Sequence, residues 1–292
     1  MNENIDFSQF KCRCSRIEDM LSDSKETPPL TEKQLANLKE LEAKPNRTDK
    51  QDTELAELIL KRQKNLQGDI SATHMEYLLE VYAYMTEDMV SVSKELMYIP
   101  AMEKGKELEP DGALLLSKVT GKMFRLHKQR VSNDYLTGEV DLFEGEDIME
   151  ARCIADVKNA YDYVIFLKKT KKSIESRYDK QIKGYMNIAG AKEGLVGDVL
   201  CSFTKEMRDD AILKLMRKYN VVSEEAANEQ FQEARYKLTR SMYYEDMDER
   251  LRVNTKAIEP FSSSQIQKIQ DRVKISRDWL NNFHNERLKL LK

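Results

Sequence analysis

Gly138-Glu139-Val140-Asp141-Leu142, then Ile154-Ala155-Asp156-Val157-Lys158, then Gln181-Ile182-Lys183-Gly184-Tyr185: these three short stretches decide the reading of the chain. The first two are apolar enough to be strands. Side chains alternate along a strand, so Asp156 and Lys158 share one face. Gln181 and Tyr185 stand four residues apart, which puts them on one side of a helix. Two acids, a lysine and a glutamine–tyrosine pair can thus be aimed at one place.

Asp/Glu-x-Lys is a weak signal by itself. The chain holds two further copies, Asp23-Ser24-Lys25 and Glu42-Ala43-Lys44, both in polar surroundings that do not suit a core strand. Asp156-Val157-Lys158 differs in its setting. It follows the apolar Cys153-Ile154-Ala155, and Gly138-x-x-Asp141 lies just upstream.

Outward from this stretch, β-friendly runs are expected at Met123–Val131, Tyr135–Phe143 and Arg152–Val157. Turn residues separate them, giving a hairpin or meander three strands wide. A helix is expected around 176–190, then an apolar run Leu195–Phe203, helices near 205–219 and 223–244, and a β-like run Leu251–Asn254. Ser262, Ser263 or Ser264 can cap a last long helix reaching about residue 290. Upstream, residues 8–22 read as a short strand or turn and then a helix capped by Ser15. Residues 23–70 read as a polar helical insertion, and 73–100 as an amphipathic helix ended by Pro100. The order of elements fits an α/β (α+β) core with a mixed central sheet flanked by helices, plus helical additions. The expected divisions are a helical region 1–100, a core 101–205 and a C-terminal helical region 206–292.

The 292 residues include 48 Lys+Arg and 51 Asp+Glu, a net charge of −3, with 40% hydrophobic and 34% charged residues. That excludes an obligate polyanion binder by total charge, but a local basic strip is enough for a nucleic-acid enzyme. The densest apolar run, Tyr163–Leu167, is too short to cross a bilayer. No secretion signal is visible at the start, so a cytoplasmic protein is expected. Cys12, Cys14, Cys153 and Cys201 form no Cys-x-x-Cys pair, which fits reduced thiols and not structural zinc.

The ordered set Gly-x-x-Asp141, Asp156-x-Lys158 and Gln181-x-x-x-Tyr185 resembles the PD-(D/E)xK nuclease superfamily. The closer likeness is to its RecB-like and lambda-exonuclease-like (YqaJ-type) phage branch. The resemblance implies a restriction-endonuclease-like core and a magnesium-dependent DNA nuclease, an exonuclease, of phage-type recombination, repair or processing. Phosphodiester hydrolysis needs a hard cation, a deprotonated water and relief of charge at the leaving oxygen. Magnesium prefers oxygen ligands, with manganese the expected substitute. Asp141, Asp156 and the Val157 carbonyl are the expected ligands, and Lys158 would orient the water or steady phosphoryl charge.

The family's third acid falls on Glu109 in Lys104-Gly105-Lys106-Glu107-Leu108-Glu109, with Glu107 the alternative because Pro110 leaves the register open. Gln181 and Tyr185 would face the metal site and the substrate strand. Arg13 and Ser15 resemble the segment that phage-type members place near substrate phosphate. Some RecB-like members carry an iron–sulfur cluster on C-terminal cysteines, but none follows Cys201 here. Two basic strips are candidate phosphate contacts. One holds Lys118, Lys122, Arg125, Lys128 and Arg130, and the other runs from Lys168 to Lys183. DNA is the expected partner, with no membrane, and the resemblance leaves open a homo-oligomer and a single-strand-annealing or recombination partner protein. The competing readings are a non-catalytic nucleic-acid-binding protein on a nuclease-like fold and a helical assembly protein.

Overall fold

The computed structural model describes residues 5–22, 30–67, 70–91, 99–223 and 228–290. Its strands are β1 (Cys12–Arg13), β2 (Phe124–Leu126), β3 (Arg130–Ser132), β4 (Leu136–Glu139), β5 (Leu142–Glu144), β6 (Cys153–Asn159), β7 (Glu193–Val199) and β8 (Val253–Ile258). The helices begin with α1 (Ile17–Met20), α2 (Glu32–Ala43), α3 (Asp49–Gln67), α4 (Ala72–Glu87), α5 (Pro100–Glu107) and α6 (Glu109–Thr120). They continue with α7 (Tyr163–Thr170), α8 (Ser176–Ala189), α9 (Lys205–Tyr219), α10 (Glu229–Arg240) and α11 (Ser263–Lys289). The chain divides into two compact units, one of residues 1–96, 132–137 and 261–292, the other of 97–131 and 138–260.

The second unit is built on a mixed sheet in the order β2-β5-β6-β7-β8, with only β6 and β7 parallel. β6 and β7 are buried along most of their length, which is why their apolar runs do not alternate cleanly with polar residues. Helices cover both faces. On one, Met186 and Ile182 of α8 press so closely on Gly194 that a Cβ there would lie within 3 Å of each. On the other, Leu116 of α6 does the same to Gly197, and a core of Leu108, Leu115, Leu116, Leu142, Val157 and Val199 fills the layer. Small residues in β7 are therefore what let two helices approach one strand.

The first unit packs α1 and α4 with α11 and the 3-10 turn Phe7–Gln9. Phe7 is fully buried, stacked on Tyr82 at 5.8 Å and edge-on to His284 at 5.4 Å. Leu38 and Leu41 of α2 close on Leu58 of α3, so the described part of the polar stretch, 30–67, has a small core of its own. β1 pairs in parallel with the start of β4.

His74, buried in α4, meets Ser276 of α11 through Nε2 at 2.9 Å, while its Nδ1 has no hydrogen-bond partner. Burial, with the positive charge of Arg272, pushes its pKa down to about 4. The folded value lies below the unfolded one of about 6.5, so the folded state favours the neutral ring. The associated stability is whole above about pH 6.5 and is lost as pH falls toward 4. By pH 5 about 2 kcal/mol of it is gone. Urea unfolding at pH 7.5 and pH 5 should show this drop in the parent chain and not in His74→Gln.

Several expectations are corrected. Met123–Val131 is not one strand but β2 and β3, and Tyr135–Phe143 is β4 and β5, with each pair split between two sheets. The strand is interrupted at Val140-Asp141, where the Asp141 carbonyl accepts the backbone N–H of His127 one step beyond the β2–β5 register. Pro100 starts a helix instead of ending one, as its preset φ suits a first turn. Ser15 caps nothing, for it sits inside the 3-10 turn Cys14–Arg16 and α1 starts behind Arg16. The Tyr163–Leu167 run, for which no element was expected, is helical, capped by Asp162. β8 starts at Val253, past the 3-10 turn Glu249–Leu251. Residues 206–260 fall in the second unit and 261–292, with α11, in the first. The decoy Glu42-Ala43-Lys44 is a helix end, and Asp23-Ser24-Lys25 lies outside the described residues, as do Pro28, Pro29 and 92–98 of the expected 73–100 helix.

Candidate active site

The antiparallel register of β5 and β6 sets Leu142 opposite Ala155, and one further step sets Asp141 opposite Asp156. β5 pairs only with Cys153–Ala155, so its edge of β6 opens at Asp156, while β7 pairs with β6 through Asn159. The opening in the sheet is where the acids meet. Asp156 is 1% exposed, and no backbone N–H, hydroxyl or amide donor reaches its carboxylate. The Lys158 ammonium stands 2.8 Å from Oδ2 as an ion pair. The Asp141 carboxyl lies within hydrogen-bonding reach of Asp156.

Burial raises the Asp141 pKa well above the usual carboxylate range, and the adjacent Asp156 raises it further. The Lys158 charge opposes this and the charge of Glu109 adds to it. For Lys158 burial acts to lower the pKa, but Asp156 and Asp141 outweigh it and hold the ammonium charged above its ordinary value. Two carboxyls side by side, one of them fully buried, repel each other unless a proton or a cation is shared between them.

α8 forms the wall over these groups. Tyr178 places its ring 4.7 Å from the Lys158 ammonium, and Gln181 donates through Nε2 to the Tyr185 hydroxyl at 3.0 Å. Tyr185 is buried, and its ring occupies the space where a Cβ on Gly138 would fall. The glycine of Gly138-x-x-Asp141 and the tyrosine of Gln181-x-x-x-Tyr185 are thus one packing unit.

Asn159 donates to the Leu108 carbonyl at 2.9 Å, tying the end of β6 to the start of α6. Glu109 opens that helix with Pro110 in its first turn, where an acid suits the positive end of the dipole. This places Glu109 close enough to act on Asp141, while Glu107 is exposed on the last turn of α5. Among the described residues no three His, Cys, Asp or Glu side chains converge to enclose an ion, so the aligned donors are Asp141 and Asp156, with Glu109 standing off. Lys104, 1% exposed, donates to the carbonyls of Ala160 and Tyr161 at 3.0 and 2.9 Å and lies 3.8 Å from the Phe203 ring. It fixes the chain just past Lys158, and burial pushes its pKa down to about 8.

The first basic strip is largely spent within the protein. Lys122 pairs with Glu144 and Glu193, Arg125 with Glu146, Arg130 with Glu139 and Lys118 with Glu249, while Lys128 is exposed. Arg13 and Ser15 belong to the other unit. There the Arg13 backbone N–H donates to the Tyr77 hydroxyl at 3.0 Å, its guanidinium lies 5.9 Å from the Tyr84 ring, and Ser15 is half-buried. Tyr178 went unrecognised as a separate group, although its spacing from Gln181 and Tyr185 (i, i+3, i+7) marks the same helix face. Asp198 was missed too. An acid inside the apolar run Leu195–Phe203 was the available signal.

No protein-family model matches the sequence, and no curated protein matches it. Among solved structures, the chain is similar to a phage-related exonuclease from Haemophilus somnus 129PT. Identity is 18%, the match covers 95% of this chain and 96% of that one, and the TM-score is 0.58. It is also similar to LHK-Exo, an alkaline exonuclease from Laribacter hongkongensis, at 12% identity, 96% and 93% coverage and a TM-score of 0.52. The same enzyme in complex with dAMP matches at 12% identity, 97% and 94% coverage and a TM-score of 0.52. The mixed α/β fold is shared with these proteins over nearly the whole chain.

Proposed function

We propose that the chain is a magnesium-dependent deoxyribonuclease of the PD-(D/E)xK type with a Gln-x-x-x-Tyr helix. In this reading it digests DNA from an end during phage-type recombination or repair. The observation that carries the proposal is the pairing of Asp141 with a buried Asp156 that no backbone, hydroxyl or amide donor reaches, beside a charged Lys158. That donor set suits a hard divalent cation, and the fold shared with proteins described as exonucleases supports the same reading.

Asp141 and Asp156 would hold the ion with the Val157 carbonyl, and Glu109 would complete the shell through water. The bound ion would supply Lewis acidity and lower the pKa of an attacking water. Lys158, kept charged by the two acids, would steady the developing phosphoryl charge, and Tyr178 limits where its ammonium can swing. Gln181, oriented by Tyr185, would hold the strand at the wall of the site.

The test is hydrolysis of linear and closed circular duplex DNA with magnesium, with manganese and with chelator. Nucleotides should be released from the linear DNA alone, with either metal, and release should stop when the metal is removed. DNA that is bound but left intact with both metals would overturn the proposal in favour of a binding protein on a nuclease-like fold.

A further inference from the structure

Asp198 of β7 is buried at 3% exposed and holds two lysines from different elements. Lys169 of α7 reaches Oδ1 at 3.0 Å, Lys256 of β8 reaches Oδ2 at 2.8 Å, and Asn254 approaches Oδ2 at 3.4 Å. The register makes Lys158 the direct partner of Asp198, and Asp198 the partner of Asn254. Paired residues on neighbouring strands point to the same side of a sheet. Asp156, Lys158, Asp198, Asn254 and Lys256 therefore share one face. Lys158 and Asp198 lie one strand spacing apart, about 4.8 Å.

Two ammonium groups on one carboxylate leave an excess positive charge. Each ammonium carries three N–H donors and spends one on Asp198. The lysine side chains remain 33% and 20% exposed, so the other donors reach solvent. Phe166 is packed with Ala160, Leu200 and Tyr244, which anchors α7 and fixes the direction of Lys169 one turn later. Lys168, Lys171 and Lys172 extend the positive charge along the exposed rim. The first basic strip, by contrast, is mostly neutralised by acids.

We propose that Lys169 and Lys256, held in place by Asp198, form a binding subsite for a phosphate of the DNA strand next to the one being cleaved. This rests on the nuclease reading of the Asp141–Asp156–Lys158 site. Asp198 acts as a positioning residue. It pre-orders two long side chains that would otherwise lose their freedom on binding, and so lowers the cost of holding a flexible backbone.

The test is binding of a short fluorescent DNA duplex to the full chain in chelator, across a series of salt concentrations. Lys169→Gln/Lys256→Gln should bind about tenfold more weakly near 0.1 M salt and show a salt slope less steep by about 0.9, the value for one lost phosphate contact. Lys169→Arg/Lys256→Arg should restore both. Lys169→Gln alone leaves the Lys256–Asp198 pair intact and should move the slope in the same direction, so the test survives if the double variant does not fold. A variant with unchanged thermal melting and an unchanged salt slope and affinity would overturn the subsite and leave the lysines as a structural tie. Cleavage by the parent chain, measured separately with magnesium, distinguishes failure of the subsite from failure of the nuclease reading.

Discussion

Asp156→Asn is expected to lose DNA hydrolysis by about 10³-fold or more while its melting temperature in chelator stays at or above that of the parent chain. The loss follows from the role proposed for the site. A bound cation supplies several kcal/mol of transition-state stabilisation, and each 1.36 kcal/mol is tenfold in rate. The stability result has the opposite sign for a separate reason. Asp156 is buried beside Asp141, and their mutual repulsion, with desolvation, holds the Asp141 carboxyl far from its ordinary ionisation. An amide removes one charge, keeps the shape and leaves Lys158 within reach of the Asp141 charge. A carboxylate retained only as a structural ion pair would behave otherwise, because its loss would strand a buried ammonium and lower the melting temperature. Rate and melting measured on the same preparation decide between the two. A variant that melts lower and cuts normally would sink the active-site assignment.

Gly138→Ala should destabilise the second unit by about 1–3 kcal/mol, the usual range for overpacking. Gly138→Val should cost more. The added Cβ would fall on the Tyr185 ring, which cannot retreat, because Tyr185 is buried and its hydroxyl is held by Gln181. Tyr185→Leu empties that space at its own cost. The two changes should therefore be less harmful together than the sum of each, with a coupling energy of about 1 kcal/mol or more. Denaturant midpoints of the four proteins measure it. Strict additivity would mean that Gly138 and Tyr185 do not touch. The same cycle run on DNA hydrolysis should show Gly138→Ala displacing Gln181, with Tyr185→Leu unable to rescue the rate.

The helices were legible where a cap and an apolar face agreed. Ser262 with Gln265 forms the capping box that starts α11, and Thr204 caps α9 where the sequence suggested a start. The strands were harder. β2 and β3 read as one run because no glycine or proline separates Phe124 from Val131, and only their partners assign them to different sheets. Pro100 misled because the same ring that stops one helix starts the next.

The sequence by itself determined that Asp156 and Lys158 share a strand face and that Gln181 and Tyr185 share a helix face, since both follow from the local repeat of the backbone. It also carried the acid of Gly138-x-x-Asp141 and the candidacy of Glu109. Only the tertiary structure decided that Asp141 stands opposite Asp156, because register is set by pairing between strands distant in the chain. It likewise decided that Glu109 and not Glu107 approaches them, that Gly138 exists to admit Tyr185, and that Asp198 gathers lysines from two other elements beside Lys158. Those four facts depend on which side chains are brought together across the fold, and no periodicity within one segment encodes that.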